Sequence, residues 1–131
     1  MLDHRNVYLK EQVTYRGKGR RIKIGIAKNM KSRHRQVNTG LPGDWLNLTS
    51  RLVFFAHSTE QHLHAKYHQF NTPLENIKPG SGGSEIFTIS THQLAILRLT
   101  LWGIKAADRF IAFTAMCFLC KIIFLLWYFL A

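Results

Sequence analysis

Acidic residues are scarce in this chain of 131 residues, which has 7 Asp and Glu against 18 Lys and Arg and a formal net charge of +11. Such an excess of positive charge favours a polyanionic partner, either nucleic acid or an anionic membrane surface. Fourteen of the 18 basic residues lie within residues 1–92. The front of the chain is therefore its basic, polar part.

Cysteine is scarce as well, since the chain has only Cys117 and Cys120, both within an apolar segment and far in sequence from any pair of histidines. A structural zinc site usually takes four ligands, so this CxxC pair is interpreted as two small apolar residues. The first residues also lack the long apolar stretch of a secretory signal. We expect the basic part of the chain in the cytoplasm.

A small sheet is predicted from alternating apolar residues. Residues 7–13 and 21–26 alternate with period two, and YRGKG at residues 15–19 supplies the turn between them. A third strand is predicted within residues 46–55, as the apolar run of residues 52–55. Residues 85–89 are interpreted as a short strand or an extended segment that follows a glycine-rich loop at residues 79–83.

Helical spacing of apolar residues predicts helices over about residues 30–38 and 58–70, and a third from residue 90 onward. The predicted fold class is α/β of the α+β kind, with a small three-stranded antiparallel sheet flanked by helices. This domain covers residues 1–107.

Residues 110–131 form a run of 22 residues with a single charge, Lys121. As a helix at about 1.5 Å per residue the run is about 33 Å long, enough to cross a hydrocarbon core of about 30 Å. Basic residues just before the run keep the N-terminal domain in the cytoplasm by the positive-inside rule. Residues 108–131 are therefore predicted to be a transmembrane tail anchor that holds the domain at the cytoplasmic face of the membrane. The alternative is a helix that packs against a partner or its own domain.

The order of several short motifs resembles the GIY-YIG nuclease superfamily, in the subgroup whose second signature reads KIG. VYL at residues 7–9 corresponds to the first signature, KIG at residues 23–25 to the second, and Arg33 follows on the next helix. A glutamate and a histidine four residues apart, Glu60 and His64, lie on a later helix. The resemblance covers about residues 6–90. It implies that the chain has the fold of the GIY-YIG superfamily and acts as a DNA endonuclease.

Hydrolysis of a phosphodiester needs a divalent cation, a cation such as arginine on the phosphate, and a base for water. By resemblance, Glu60 binds one Mg²⁺ or Mn²⁺, and Arg33 binds the scissile phosphate. Tyr8 orients or deprotonates the attacking water. Lys23 replaces a tyrosine of the family and is expected to bind phosphate or act as a base. His64 is a candidate base, or a solvated or structural histidine.

Nine of the basic residues fall within residues 16–35, as a surface that binds a phosphate backbone would require. The alternative is that these basic residues form a solvated charged surface that binds no partner. Besides the residues above, the predicted nucleic-acid contacts are Arg16, Lys18, Arg20, Arg21, Lys28, Lys31 and Arg35.

The first function hypothesis is a metal-dependent DNA endonuclease. The second is a non-catalytic DNA-binding module tethered to the membrane, and a carboxylate at position 60 is useful only to the first. A third hypothesis, a lipid-headgroup patch, is disfavoured because the basic cluster lies far along the chain from the predicted anchor.

Overall fold

A computed structural model describes residues 5–74, 83 and 85–130. The α+β class is confirmed. The predicted loop at residues 79–83 lies, apart from Gly83, outside the described residues. The elements follow in the order β1 (Arg5–Gln12), β2 (Arg20–Ala27), α1 (Met30–Gly40), β3 (Trp45–Val53), α2 (Ala56–Lys66), a 3₁₀ turn (His68–Phe70), β4 (Ile86–Ile89) and α3 (Thr91–Leu130).

The sheet has four antiparallel strands in the order β3-β1-β2-β4, so the prediction of three strands is wrong. The fourth strand, Ile86–Ile89, pairs with Arg20–Lys23 of β2. Four residues show little alternation of their own, and the strand is defined by this pairing. The third strand lies within the predicted residues 46–55 but for its first residue, and the run at residues 52–55 contributes only the last two residues of β3.

The two faces of the central strands differ in chemistry because successive side chains point to opposite sides of a sheet. Val7, Leu9 and Ile24 are buried against residues of α2 and α3, and they form the main core. Tyr8, Lys10 and Lys23 alternate with those residues and point to the face that α1 approaches. The second face therefore collects polar groups beneath a helix.

Helix α3 is one uninterrupted helix of 40 residues, so the boundary predicted near residue 107 is not a break in the backbone. Its first part packs on the domain through Leu94, Leu97 and Leu101. The Asp108 carboxylate accepts a hydrogen bond from the Phe54 backbone N–H at 2.9 Å. From residue 110 to 130 every side chain is exposed. By length and composition this helix is able to cross a membrane.

Candidate functional site

The hydrogen bond between Arg33 and Tyr8 ties α1 to the polar face of the sheet. Asn29 caps α1, its side chain accepting from the Ser32 backbone N–H at 3.0 Å, and the first turn directs Arg33 toward β1. Arg33 Nε donates to the Tyr8 hydroxyl at 2.9 Å. Burial raises the pKa of Tyr8, against the lowering influence of Arg33, so the group that meets the guanidinium is a neutral phenol.

The glycine of the KIG motif makes room for this tyrosine. Gly25 lies opposite Tyr8 in the β1–β2 register. A Cβ atom at Gly25 would lie 2.5 Å from the Tyr8 hydroxyl oxygen and 2.7 Å from its Cζ. Both separations are far below van der Waals contact, so a side chain at position 25 would push the phenol away from Arg33.

Gly25→Ala is expected to destabilise the fold by about 1–3 kcal/mol, the usual cost of overpacking. The measurement is urea unfolding of the full chain in detergent. In a Tyr8→Leu background the same substitution should cost clearly less, because the atoms that the new methyl group meets are gone. Equal costs in both backgrounds would contradict this account of the glycine.

Lys23 lies beside Tyr8 on the same face and is completely buried. Its Nζ donates to Glu85 Oε2 at 2.6 Å, and Glu85 keeps a third of its side chain exposed. Burial lowers the pKa of Lys23, while the charge of Glu85 raises it. The lysine thus holds a carboxylate in place at the edge of the site.

Glu60 approaches this group from α2 and is only 9 % exposed. Burial and the charge of Glu85 raise the pKa of Glu60, against the lowering influence of His64, His57 and Lys23. His57, which sequence reasoning missed, has its Nδ1 3.8 Å from Glu60 Oε2. A buried carboxylate near a second carboxylate is an environment that a bound cation would stabilise.

His64 reaches the edge of β2 just beyond the residues that β4 pairs with. Its Nε2 lies 3.1 Å from the Ile24 carbonyl oxygen, and its ring packs on Phe87 with centroids 5.3 Å apart. A carbonyl oxygen only accepts, so Nε2 carries the hydrogen. The remaining nitrogen, Nδ1, is the only one able to accept a proton.

Lys10 is the principal residue of this face that sequence reasoning missed. It is completely buried, with Nζ 2.8 Å from His34 Nδ1 and 5.5 Å from the centroid of the Tyr8 ring. Burial and the nearby charge of Arg33 lower its pKa. Period-two alternation from Tyr8 was the signal that places Lys10 on this face.

Lys10→Met is expected to raise the urea midpoint near pH 7. The folded-state pKa of Lys10 lies below its unfolded value, so the folded state disfavours the ammonium, and this penalty fades as pH rises toward 10.5. The gain from methionine should therefore shrink between pH 7 and pH 10. Lys31→Met, at an exposed position of α1, should change the midpoint little at either pH. A loss of stability in Lys10→Met at pH 7 would contradict the sign.

The basic residues predicted to form one DNA surface fall into two groups. The two groups lie at opposite ends of β2, whose eight residues at about 3.3 Å each span roughly 25 Å. One group lies in the β1–β2 turn and at the start of β2, and the other follows β2 into α1. The first group comprises Arg16, Lys18, Arg20 and Arg21, and the second comprises Lys28, Lys31 and Arg35.

Two members of the first group are engaged within the fold. Arg20 makes two hydrogen bonds of 2.6 Å to the Glu11 carboxylate. The Arg21 guanidinium lies 4.1 Å from the centroid of the Tyr15 ring and donates to Gln12 Oε1 at 3.2 Å. Arg16 and Lys18, in contrast, are exposed in the turn.

One member of the second group, Lys28, lines an open pocket of about 300 Å³ at the start of α1. A helix N-terminus presents backbone N–H groups and a partial positive charge, and both favour a phosphate. Arg33 lies in the wall of this pocket as well as on Tyr8. The lining residues are Arg5, Ile26, Ala27, Lys28, Asn29, Ser32, Arg33 and Gln36.

A family model matches the chain over residues 6–100, and it is that of the T5orf172 domain. The chain belongs to the T5orf172 domain family. The matched segment contains all of β1 except Arg5, together with β2 to β4, α1, α2 and the start of α3. Tyr8, Lys23, Arg33, Glu60 and Glu85 all lie within it. T5orf172 domains are nuclease-like and DNA-binding domains. No curated protein and no solved structure matches the chain.

This match corrects the resemblance given above. The chain was compared with the GIY-YIG superfamily, and that assignment is wrong, because the T5orf172 domain is a different family and no GIY-YIG match is found. The motifs involved are short: three residues at 7–9, three at 23–25 and two residues four apart. The roles inferred from the resemblance consequently need support from the geometry of this T5orf172 domain.

Proposed function

We propose that this T5orf172 domain is a DNA endonuclease that hydrolyses phosphodiester bonds with one divalent metal ion, Mg²⁺ or Mn²⁺. The observation that carries the proposal is that Arg33, bonded to Tyr8, lies within electrostatic range of two carboxylates, Glu60 and the Glu85 that Lys23 holds. A site with one guanidinium and two carboxylates supplies both a phosphate-binding group and a cation-binding group.

Arg33 is the phosphate-binding group. Its planar fork of donors suits a phosphate, and only part of it is used by Tyr8 and by Gln36, whose Oε1 lies 3.4 Å from Nη1. The pocket at the start of α1 adjoins it, with Lys28 in the same wall. DNA bound along this pocket would bring a backbone phosphate to Arg33.

Glu60 is the metal-binding group. Among the described residues no three His, Cys, Asp or Glu side chains are grouped to hold a metal ion by themselves. Mg²⁺ is commonly held by one or two carboxylates together with water and substrate phosphates, so Glu60 near Glu85 fits that ion. When bound, the ion supplies charge neutralisation on the phosphate and a more acidic water.

Tyr8 and Lys23 support the site from below, since neither side chain has any exposed surface. Tyr8 fixes the direction of Arg33, and Lys23 fixes Glu85. His64 Nδ1 is the nitrogen able to take a proton from water. Tyr8 and Lys23 would thus act by positioning Arg33 and Glu85, and neither of the two buried residues needs to contact DNA.

Tyr8→Phe is expected to slow cleavage by about tenfold or more, because Arg33 loses the acceptor that orients it. DNA affinity should change little, since the charge of Arg33 remains. The measurements are the nicking rate and the dissociation constant for a DNA duplex. Tyr15→Phe, which removes a hydroxyl away from the site, should leave both unchanged. A large loss of affinity with an unchanged rate per bound complex would contradict the positioning role.

The proposal is tested by incubating the full chain in detergent with supercoiled plasmid and Mg²⁺ or Mn²⁺, with EDTA as the control. Nicking that requires the metal supports the nuclease. Retained DNA that is never cut would favour the second candidate, a non-catalytic DNA-binding module. That candidate is favoured by the pairing of Glu85 with Lys23, which occupies one of the two carboxylates.

We further propose that residues 110–130 of α3 cross a membrane and hold the domain at its cytoplasmic face. The support is the exposure of every side chain in that segment and the basic residues Arg98, Lys105 and Arg109 just before it. Flotation of the full chain with lipid vesicles after alkaline extraction tests this. Recovery in the soluble fraction would contradict it.

A further inference from the structure

Helix α3 runs along the sheet and leaves the domain at one particular end. It begins just after β4, whose Ile89 pairs with Arg20 near the β1–β2 turn. Further on, the Asp108 carboxylate accepts a hydrogen bond from the Phe54 backbone N–H at 2.9 Å, where β3 has just ended. The β3–α2 corner, residues 52–55, therefore lies beside the point where α3 leaves the domain.

The proposed membrane span places this corner at the depth of the lipid headgroups. Asp108 comes two residues before residue 110, so it lies about 3 Å above the hydrocarbon core at about 1.5 Å per residue. The headgroup layer on each side of the core is about 5–8 Å thick. Residues 104–113 contain neither proline nor glycine, two usual causes of a sharp bend in a helix. The domain is therefore held with this corner against the bilayer.

Two apolar side chains of the corner are exposed at that depth. Phe55 is 56 % exposed and Leu52 is 37 % exposed. The backbone that carries them is fixed, since the Phe55 carbonyl oxygen accepts from the Thr59 backbone N–H at 2.9 Å. The Leu52 carbonyl oxygen accepts from Lys105 Nζ at 3.1 Å. Phenylalanine and leucine are side chains that interfacial segments bury at the boundary between headgroups and acyl chains.

The charges at this end of the domain suit an anionic bilayer. Arg5 pairs with the last residue of β3, next to the corner. Lys105 and Arg109 lie within about 8 Å of the hydrocarbon core along α3. The acidic residues Glu11 and Asp44 lie at the opposite ends of β1 and β3. Basic residues this close to the membrane surface are attracted to anionic lipids.

We propose that the β3–α2 corner docks on the surface of the membrane that α3 crosses, with Phe55 and Leu52 buried among the lipid headgroups. Lys105 and Arg109 then lie beside the phosphates of anionic lipids. The β1–β2 turn, near the start of α3, lies well outside the headgroup layer and stays in water. The proposal rests on the membrane placement of α3 proposed above and is independent of nuclease activity.

The test compares two exposed apolar positions of the full chain in vesicles of phosphatidylcholine and phosphatidylglycerol. Single cysteines in a Cys117→Ala, Cys120→Ala background carry the fluorophore NBD, which a nitroxide on the lipid quenches at short range. Phe55→Cys reports on the corner. Leu46→Cys is the matched control, because Leu46 is 54 % exposed and lies at the other end of β3. The native Cys117, kept as the single cysteine, reports on the span.

We expect a headgroup nitroxide to quench the label at position 55 at least about threefold more strongly than the label at position 46, which lies outside the headgroup layer. Leu52→Cys should behave like Phe55→Cys, and an acyl-chain nitroxide should quench the label on Cys117.

Equal quenching at positions 55 and 46 would overturn the docking. So would a label at position 55 that is shielded from water but not quenched, because a protein would then cover the corner in place of lipid. Absence of quenching at Cys117 would instead overturn the membrane placement on which the proposal rests.

Discussion

Arg33→Lys is expected to lower the rate of plasmid nicking by about 10²–10³-fold, the usual loss when one stabilising donor is removed from a reacting oxyanion. Lysine keeps the positive charge, but it offers a single ammonium group in place of a fork with separate donors. The guanidinium uses Nε to hold Tyr8, and this leaves its Nη nitrogens for other acceptors. One ammonium nitrogen does not serve both purposes with the same geometry.

The control is Arg35→Lys, the same substitution two residues along α1 at an exposed position. It should change nicking little, and both variants should bind duplex DNA with similar affinity and salt dependence, because each keeps its charge. The nicking rate is measured in single-turnover reactions at saturating protein, because all of the DNA is then bound and the rate reports cleavage alone. Equal losses in the two variants would show that Arg33 contributes only to the general basic surface.

The grouping of Tyr8, Lys23 and Arg33 was accessible from sequence because each step is local. Alternation within β1 and β2 decides which side chains share a face, and the Asn29 cap defines where α1 begins. Lys10 follows from the same alternation, although it lacked a motif that would draw attention to it. Its burial next to His34 depends on how α1 packs, which local patterns do not specify.

The approach of Glu60 to Glu85 depends instead on tertiary structure. The two residues are 25 positions apart, on α2 and next to β4, and the charge of Glu85 influences Glu60 only because β4 pairs with β2 while α2 reaches the same strand through His64 and the Ile24 carbonyl. The strand count was wrong for a related reason, since a four-residue strand is defined by its partner. Register between distant segments has no signature in a single sequence.

The basic cluster shows how adjacency in sequence misleads. Residues 16–35 were predicted to form one surface, yet an extended strand inside that range carries the chain across the domain. Two of the predicted contacts, Arg20 and Arg21, are already held by Glu11, Tyr15 and Gln12. The rise of about 3.3 Å per residue, applied to the predicted strand, would have revealed the separation.

Glu60→Gln is expected to reduce metal-dependent nicking by at least about 10²-fold while leaving the fold as stable as before, or more stable, near pH 7. Burial and Glu85 raise the pKa of Glu60, so the folded state binds this proton more tightly than the unfolded state does. The ionised carboxylate therefore opposes folding at pH values above its pKa. Glutamine removes that opposition together with the metal ligand, and urea unfolding at pH 7 measures the first effect.

The same raised pKa gives the direction of the pH dependence. Metal binding needs the ionised carboxylate, so wild-type nicking should decline, as pH falls, at a higher pH than the ordinary glutamate value of 4.5 would give. Glu11→Gln provides the opposite pattern, because Glu11 holds Arg20 through two hydrogen bonds and lies outside the site. It should lose some stability and keep its nicking rate. If Glu60→Gln unfolded more easily than Glu11→Gln and still nicked DNA, Glu60 would be a structural residue and not the metal ligand.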